Sequence, residues 1–179
     1  MYKISKAFNF CYGHRVWNQE LLCGFAESTV CKCRHLHGHE CTVIISLSAN
    51  ELKGDMVTDF NNLGWFKTFA NTYLDHKFII DIHDPLFDTF FPDNQHVEII
   101  KVGGMVVGRT ASIEESLPNY TQELFGSFFI VDFVPTSENF SKWIYEIVQN
   151  KMRPINVNVD SIEWKESPKS SSTYYGESI

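Results

Sequence analysis

Residues 2–10 (Tyr-Lys-Ile-Ser-Lys-Ala-Phe-Asn-Phe) alternate apolar and polar side chains, the two-residue period of a strand with one buried face. Residues 41–49 (Cys-Thr-Val-Ile-Ile-Ser-Leu-Ser-Ala) are rich in β-branched positions and predict a second strand. Lys53-Gly54-Asp55 marks a turn, and Met56 to Phe60 follows as a short extended piece. From about Asn62 to Tyr73 the period changes. Leu63, Phe66, Phe69, Ala70 and Tyr73 recur at helical spacing, with Asn61 or Asn62 as cap. The stretch 82–126 predicts a hairpin-bearing insertion: Val97 to Ile100 reads as a strand, Gly103-Gly104 as a turn, and Met105 to Val107 as a returning strand. Phe128 to Val134 is a strand. Thr136 then caps a helix running to about Met152, with Phe140, Trp143, Ile144, Ile147 and Val148 on its apolar stripe. Residues 155–164 form the last predicted strand, and the Ser-rich tail after Pro168 is expected to be loose at its end. The order β-β-α-insertion-β-α-β is not the alternation of a doubly wound sheet. It predicts an α+β fold, an antiparallel sheet with its helices on one face, in a single domain spanning 1–179.

Composition narrows the function classes. The chain is 44% hydrophobic and 15% aromatic, enough for a packed core. A formal charge of −7 repels phosphate backbones and argues against a nucleic-acid partner. The longest apolar runs are too short to span a bilayer, and the first residues carry no export signal, so a cytoplasmic protein without a membrane partner is expected. The five cysteines are an odd number, and Cys31, Cys33 and Cys41 crowd into eleven residues. In such a chain that favours metal binding, catalysis or burial over a disulfide framework.

The segment Cys31-Lys-Cys-Arg-His-Leu-His-Gly-His-Glu-Cys41 carries the chemistry. On an extended chain His37 and His39 share a face, and His14 ends a strand that could lie alongside. Three neutral imidazoles leave a tetrahedral zinc ion one open position, the catalytic kind of site. Two other readings compete. Cys31, Cys33, His37 and His39 have the ligand types of a closed structural zinc, although Cys-x-Cys is an unusual spacing for one. The histidines could also hold no metal.

Several motifs, in order from residue 8 to 167, resemble the family of 6-pyruvoyltetrahydropterin and 6-carboxytetrahydropterin synthases. They are Phe8 to Arg15, Cys33-Arg-His-Leu-His-Gly-His39, Gly54 to Phe60, Leu74-Asp75-His76, Pro135-Thr136-Ser137-Glu138-Asn139 and Trp164-Lys165-Glu166-Ser167. The resemblance implies a tunnelling fold, in which sheets from three subunits close a β-barrel and two rings stack as a homohexamer with sites at subunit interfaces. It implies Zn2+ on His14, His37 and His39, and Cys33 as the proton-transferring thiol, with a thiolate at neutral pH. Asp75 would orient His76 as the second proton-transfer group. Glu166 would anchor the pterin through a bidentate fork, with Thr136 and Ser137 adding contacts. Each residue also has a plainer reading. Cys33 can be a small buried side chain with Cys31 as its rival, Asp75-His76 can simply end a helix, and Glu166 can be an exposed strand carboxylate. His35, His83 and His96 match nothing in the family and read as surface residues.

The short Cys-x3-His-Gly-His spacing resembles the carboxy branch. That implies conversion of 7,8-dihydroneopterin triphosphate to 6-carboxy-5,6,7,8-tetrahydropterin, acetaldehyde and triphosphate, feeding 7-deazaguanine nucleosides such as queuosine. The alternative within the family is 6-pyruvoyltetrahydropterin synthase, which eliminates triphosphate on the way to tetrahydrobiopterin. An alternative of another class is a non-catalytic zinc-stabilised binding module.

Overall fold

The opening alternation runs further than its pattern predicts. In a computed structural model, which describes residues 1–26, 31–91 and 97–176, strand β1 covers Tyr2–His14 and pairs antiparallel along its whole length with β2, His37–Ala49. Phe8, Phe10, Tyr12 and His14 point to one face and are buried, while Asn9 and Cys11 point to the other and are exposed. From β2, Cys41, Val43, Ile45 and Leu47 join the same buried face.

The remaining strands are β3 (Lys77–Asp81), β4 (Val97–Val102), β5 (Met105–Ala111), β6 (Phe128–Val131), β7 (Asn158–Ser167) and β8 (Ser170–Tyr174). They form one sheet in the order β4-β5-β6-β3-β1-β2-β7-β8. The expected antiparallel pairing holds for β1–β2, β2–β7, β7–β8, β4–β5 and β5–β6. β3 pairs parallel with both β1 and β6, so the sheet is mixed at its centre.

Helices α1 (Gly64–Tyr73) and α4 (Ser137–Met152) pack on the buried face through Phe66, Phe69, Phe140, Trp143, Ile144 and Ile147. This is the predicted one-sided arrangement. The short α2 (Phe87–Phe90) and α3 (Asn119–Gly126) contribute to a second, smaller apolar cluster in which Ile80, Phe128 and Ile130 meet Phe91 and Phe125. Phe128 to Val131 are therefore all buried, as suits a central strand covered on both sides.

Other boundaries also differ from the pattern, and β6 ends at Val131 rather than at the predicted Val134. The side chain that opens the α1 region is Asp59, which accepts the Asn61 N–H at 2.7 Å and caps a 3-10 turn over Phe60–Leu63. The last predicted strand is displaced: Ile155 lies in a 3-10 turn, and β7 runs on to Ser167, carrying Glu166 into regular structure. The Ser-rich tail forms β8 over Ser170–Tyr174, because its backbone hydrogen-bonds β7 whatever its side chains are; its end, expected to be loose, lies outside the described residues from 177 on. The expected hairpin is the β4–β5 pair. His96 lies outside the described residues.

Phe140 joins α4 to the sheet. It is fully buried, stacks on Trp164 at 4.3 Å and meets Tyr12 edge-on at 5.4 Å. Phe140→Ala should cost about 3–5 kcal/mol of stability. A lower denaturant midpoint with an unchanged slope would record it.

Candidate active site

The β1–β2 register sets the first part of the site. His14 lies directly across from His37, and Tyr12 across from His39, so all three histidines reach the buried face at one end of the sheet. Between them Gly13 pairs with Gly38. A Cβ on Gly38 would stand 2.9 Å from the Tyr12 carbonyl oxygen, so the middle residue of His-Gly-His has no room for a side chain. The ligand nitrogens of His14, His37 and His39 lie within 4.8 Å of one another.

The ring tautomers follow from their partners. His14 Nδ1 is 2.6 Å from the Pro135 carbonyl oxygen, and His37 Nδ1 is 2.8 Å from that of His35. A carbonyl only accepts, so both Nδ1 atoms carry the proton and, in the neutral rings, both Nε2 atoms present lone pairs. His14 is neutral: burial of its side chain, 1% exposed, pushes its pKa down to about 4. Burial also pushes the pKa of His39 down.

Buried His14 Nε2 and His39 Nε2 have no hydrogen-bond partner. Glu166 Oε1 stands 3.4 Å from the first and 3.7 Å from the second. The His14 lone pair and a carboxylate oxygen cannot satisfy one another. Three imidazole nitrogens within 4.8 Å of one another are a donor set that could hold a metal ion.

The other predicted residues divide into two groups. His14, Cys33, Thr136, Ser137 and Glu166 line one cleft of about 280 Å3, with Asn18, Gln19 and Glu138. Thr136 doubles as the cap of α4, accepting the Asn139 N–H at 3.2 Å as its sequence position predicts. Cys33 is half-buried beside Cys31. Burial, then the neighbouring Cys31 thiol, push its pKa up.

Asp75 and His76 stand apart from that cleft. His76 is 81% exposed and borders a wider depression of about 660 Å3 with Cys11, Gly38 and Phe78. Neither Cys33 nor Glu166 lines it, although His37 and His39 do. His76 takes φ +57°, a left-handed conformation that costs a non-glycine residue about 1 kcal/mol. Its own N–H, donating to the Cys11 carbonyl at 2.7 Å, and its Nδ1 contact with Asp75 Oδ1 at 3.0 Å hold it there. Asp75 also accepts the Cys11 backbone N–H at 3.0 Å, and this bond, followed by those from His76, holds its carboxyl below the usual range. His35 and His83 are exposed, as expected of surface residues.

Sequence reasoning missed Tyr12, whose hydroxyl donates to Glu166 Oε1 at 3.3 Å. The alternation of β1 signals that this side chain is buried, but not that its phenol reaches a residue 154 positions away. It also missed the carbonyls of Pro135 and His35, which no side-chain motif can reveal.

Residues 3–177 match the family model described as 6-pyruvoyl tetrahydropterin synthase. A protein from Aquifex aeolicus (strain VF5), a 6-carboxy-5,6,7,8-tetrahydropterin synthase by name, is 31% identical over 157 residues. The match covers 84% of this chain and 81% of that protein. The crystal structure of an uncharacterized protein from Wolinella succinogenes superposes with a TM-score of 0.92 at 44% identity, covering 98% of each chain. The 6-pyruvoyl tetrahydropterin synthase of Plasmodium vivax shares the fold, with a TM-score of 0.55 at 18% identity over 98% of this chain and 99% of that one.

Proposed function

Because this chain belongs to the 6-pyruvoyl tetrahydropterin synthase family, we propose that it converts 7,8-dihydroneopterin triphosphate to 6-carboxy-5,6,7,8-tetrahydropterin, acetaldehyde and triphosphate, in the cytoplasmic synthesis of 7-deazaguanine nucleosides such as queuosine. The name and 31% identity of the Aquifex aeolicus protein, together with the short Cys33-x3-His37-Gly38-His39 spacing, favour the carboxy product over the pyruvoyl one. The observation that carries the reading is the cluster of three histidine nitrogens within 4.8 Å of one another, with His14 sharing a cleft with the Cys33 thiol and the Glu166 carboxylate.

His14, His37 and His39 would hold Zn2+. Bound there, zinc would lower the pKa of a side-chain hydroxyl and polarise the carbonyl formed from it. The chain's own groups do the rest. Glu166 accepts the paired N–H groups of the pterin edge, and the Thr136 and Ser137 hydroxyls line the same cleft. Cys33 takes and returns a proton at Sγ. With Nδ1 directed at Asp75, His76 Nε2 is free to do the same for a second carbon or oxygen. Since Cys33 and His76 border different concavities of one chain, a complete site takes them from adjacent subunits of a homohexameric barrel. Residues 1–179 act as one synthase domain, with 82–126 as an insertion.

The test is one anaerobic reaction of zinc-loaded protein with dihydroneopterin triphosphate, its products identified by mass spectrometry. We expect 6-carboxytetrahydropterin and acetaldehyde, and a loss of rate of about 10^2–10^4 in Cys33→Ala. 6-Pyruvoyltetrahydropterin would keep the site and change the branch. No turnover by fresh holoprotein would overturn the enzymatic reading in favour of a zinc-stabilised binding module.

A further inference from the structure

We propose that Tyr12 is a positioning residue for Glu166, holding the carboxylate in the orientation that receives the pterin edge. The functional part of this inference rests on the reading of Glu166 as the pterin anchor. The positional part rests on geometry alone.

Tyr12 is 3% exposed and sits in an aromatic cage. Trp164 is 5.3 Å away, Phe140 5.4 Å, Phe10 6.3 Å and the His14 ring 5.1 Å. Phenylalanine would fill such a cage without bringing a hydroxyl into it, and a buried hydroxyl is costly unless it is hydrogen-bonded. This one has two partners. Trp164 Nε1 donates to it at 3.3 Å, and it donates in turn to Glu166 Oε1 at 3.3 Å.

The direction of this chain is fixed. An indole N–H can only donate, so the phenol oxygen accepts from it. A phenol has a single proton, and at neutral pH that proton goes to the carboxylate. Trp164 and Glu166 are two residues apart on β7 and share a face, so the link starts and ends on one strand and passes through the strand two places across the sheet. Trp164 is fully buried and Phe140 stacks on it, which makes the starting point rigid.

Glu166 itself is 23% exposed and stands near the end of its strand. A glutamate there would ordinarily sample several rotamers, and ordering it on binding would weaken affinity. A hydrogen bond to Oε1 sets the plane of the carboxylate beforehand. Each carboxylate oxygen accepts more than one bond, so Oε1 can receive Tyr12 and one N–H of the pterin while Oε2 receives the other.

The experiment combines Tyr12→Phe with Glu166→Ala, singly and together, in the full zinc-loaded protein. Binding of 7,8-dihydroneopterin is followed by its fluorescence, and a crystal structure of Tyr12→Phe locates Glu166. We expect Tyr12→Phe to raise the dissociation constant about 10-fold, the size of one hydrogen bond to a charged group. KM should rise more than kcat falls, and the Glu166 carboxylate should spread over several rotamers. In the Glu166→Ala background Tyr12→Phe should have no further effect on binding, which a general packing defect would not reproduce. An unchanged dissociation constant, an equal loss in both backgrounds, or a Glu166 that keeps its position in Tyr12→Phe would overturn the proposal. If the parent protein binds no pterin, the proposed function fails while the Glu166 position still decides whether Tyr12 sets it.

Discussion

His14→Ala should lower metal affinity by more than about 100-fold, since loss of an outer-shell partner alone costs 10–100-fold and His14 would supply a ligand atom directly. Its ring is the most enclosed of the three and is set by the Pro135 carbonyl, just ahead of α4. The measurement is a titration against a chromophoric chelator, with metal content read by mass spectrometry. His35→Ala and His83→Ala are the controls. Both side chains are exposed, and the His35 group that orients His37 is its backbone carbonyl, which the substitution keeps. Full metal content in His14→Ala, or loss of metal in His35→Ala, would mean that the ion sits elsewhere.

Two inactive proteins should recover activity when mixed. Cys33→Ala and His76→Ala each remove one of the two proposed proton-transfer groups, and each alone should lose about 10^2–10^4 in rate. If each site draws Cys33 from one subunit and His76 from its neighbour, co-refolding equal amounts should rebuild intact sites at about one in four of those present, from random assortment around a ring. Activity regained only after co-refolding, and absent from a simple mixture of assembled proteins, would establish the shared site. If no activity returns although hybrids form, both groups belong to one chain, and the separation between their two concavities would have to close by a movement of the chain.

The parts of this site that were legible in the sequence are those whose geometry is local. A two-residue spacing on a strand is enough to bring His37 and His39 to one face, and Thr136 caps α4 because N-capping is decided within three residues. β1 and α4 were legible because each buries one face and so keeps its period. β3 was not. Lys77–Asp81 follows helix α1 closely, without a clear turn signal, and its central residues are apolar on both faces, so neither period marks it. β8 was not legible for the opposite reason: Ser170–Tyr174 has almost no apolar content, and its pairing with β7 alone makes it a strand. The placement of Asp75 and His76 away from Cys33 depends on sheet order, which no local pattern encodes. Nor does local pattern encode the reach of the Tyr12 phenol to Glu166.

The register of β1 against β2 also bears on quality control during folding. His14 faces His37 only in the pairing observed, in which Tyr2 meets Ala49 at the far end. A slip of one residue would turn one strand's histidines to the opposite side of the sheet and scatter the ligands. An ion held by these histidines would therefore discriminate between pairings. It would reward the native register with its binding energy and give nothing to the neighbouring ones. Metal supply during synthesis should thus raise the yield of correctly paired chains, apart from anything the metal does later in turnover.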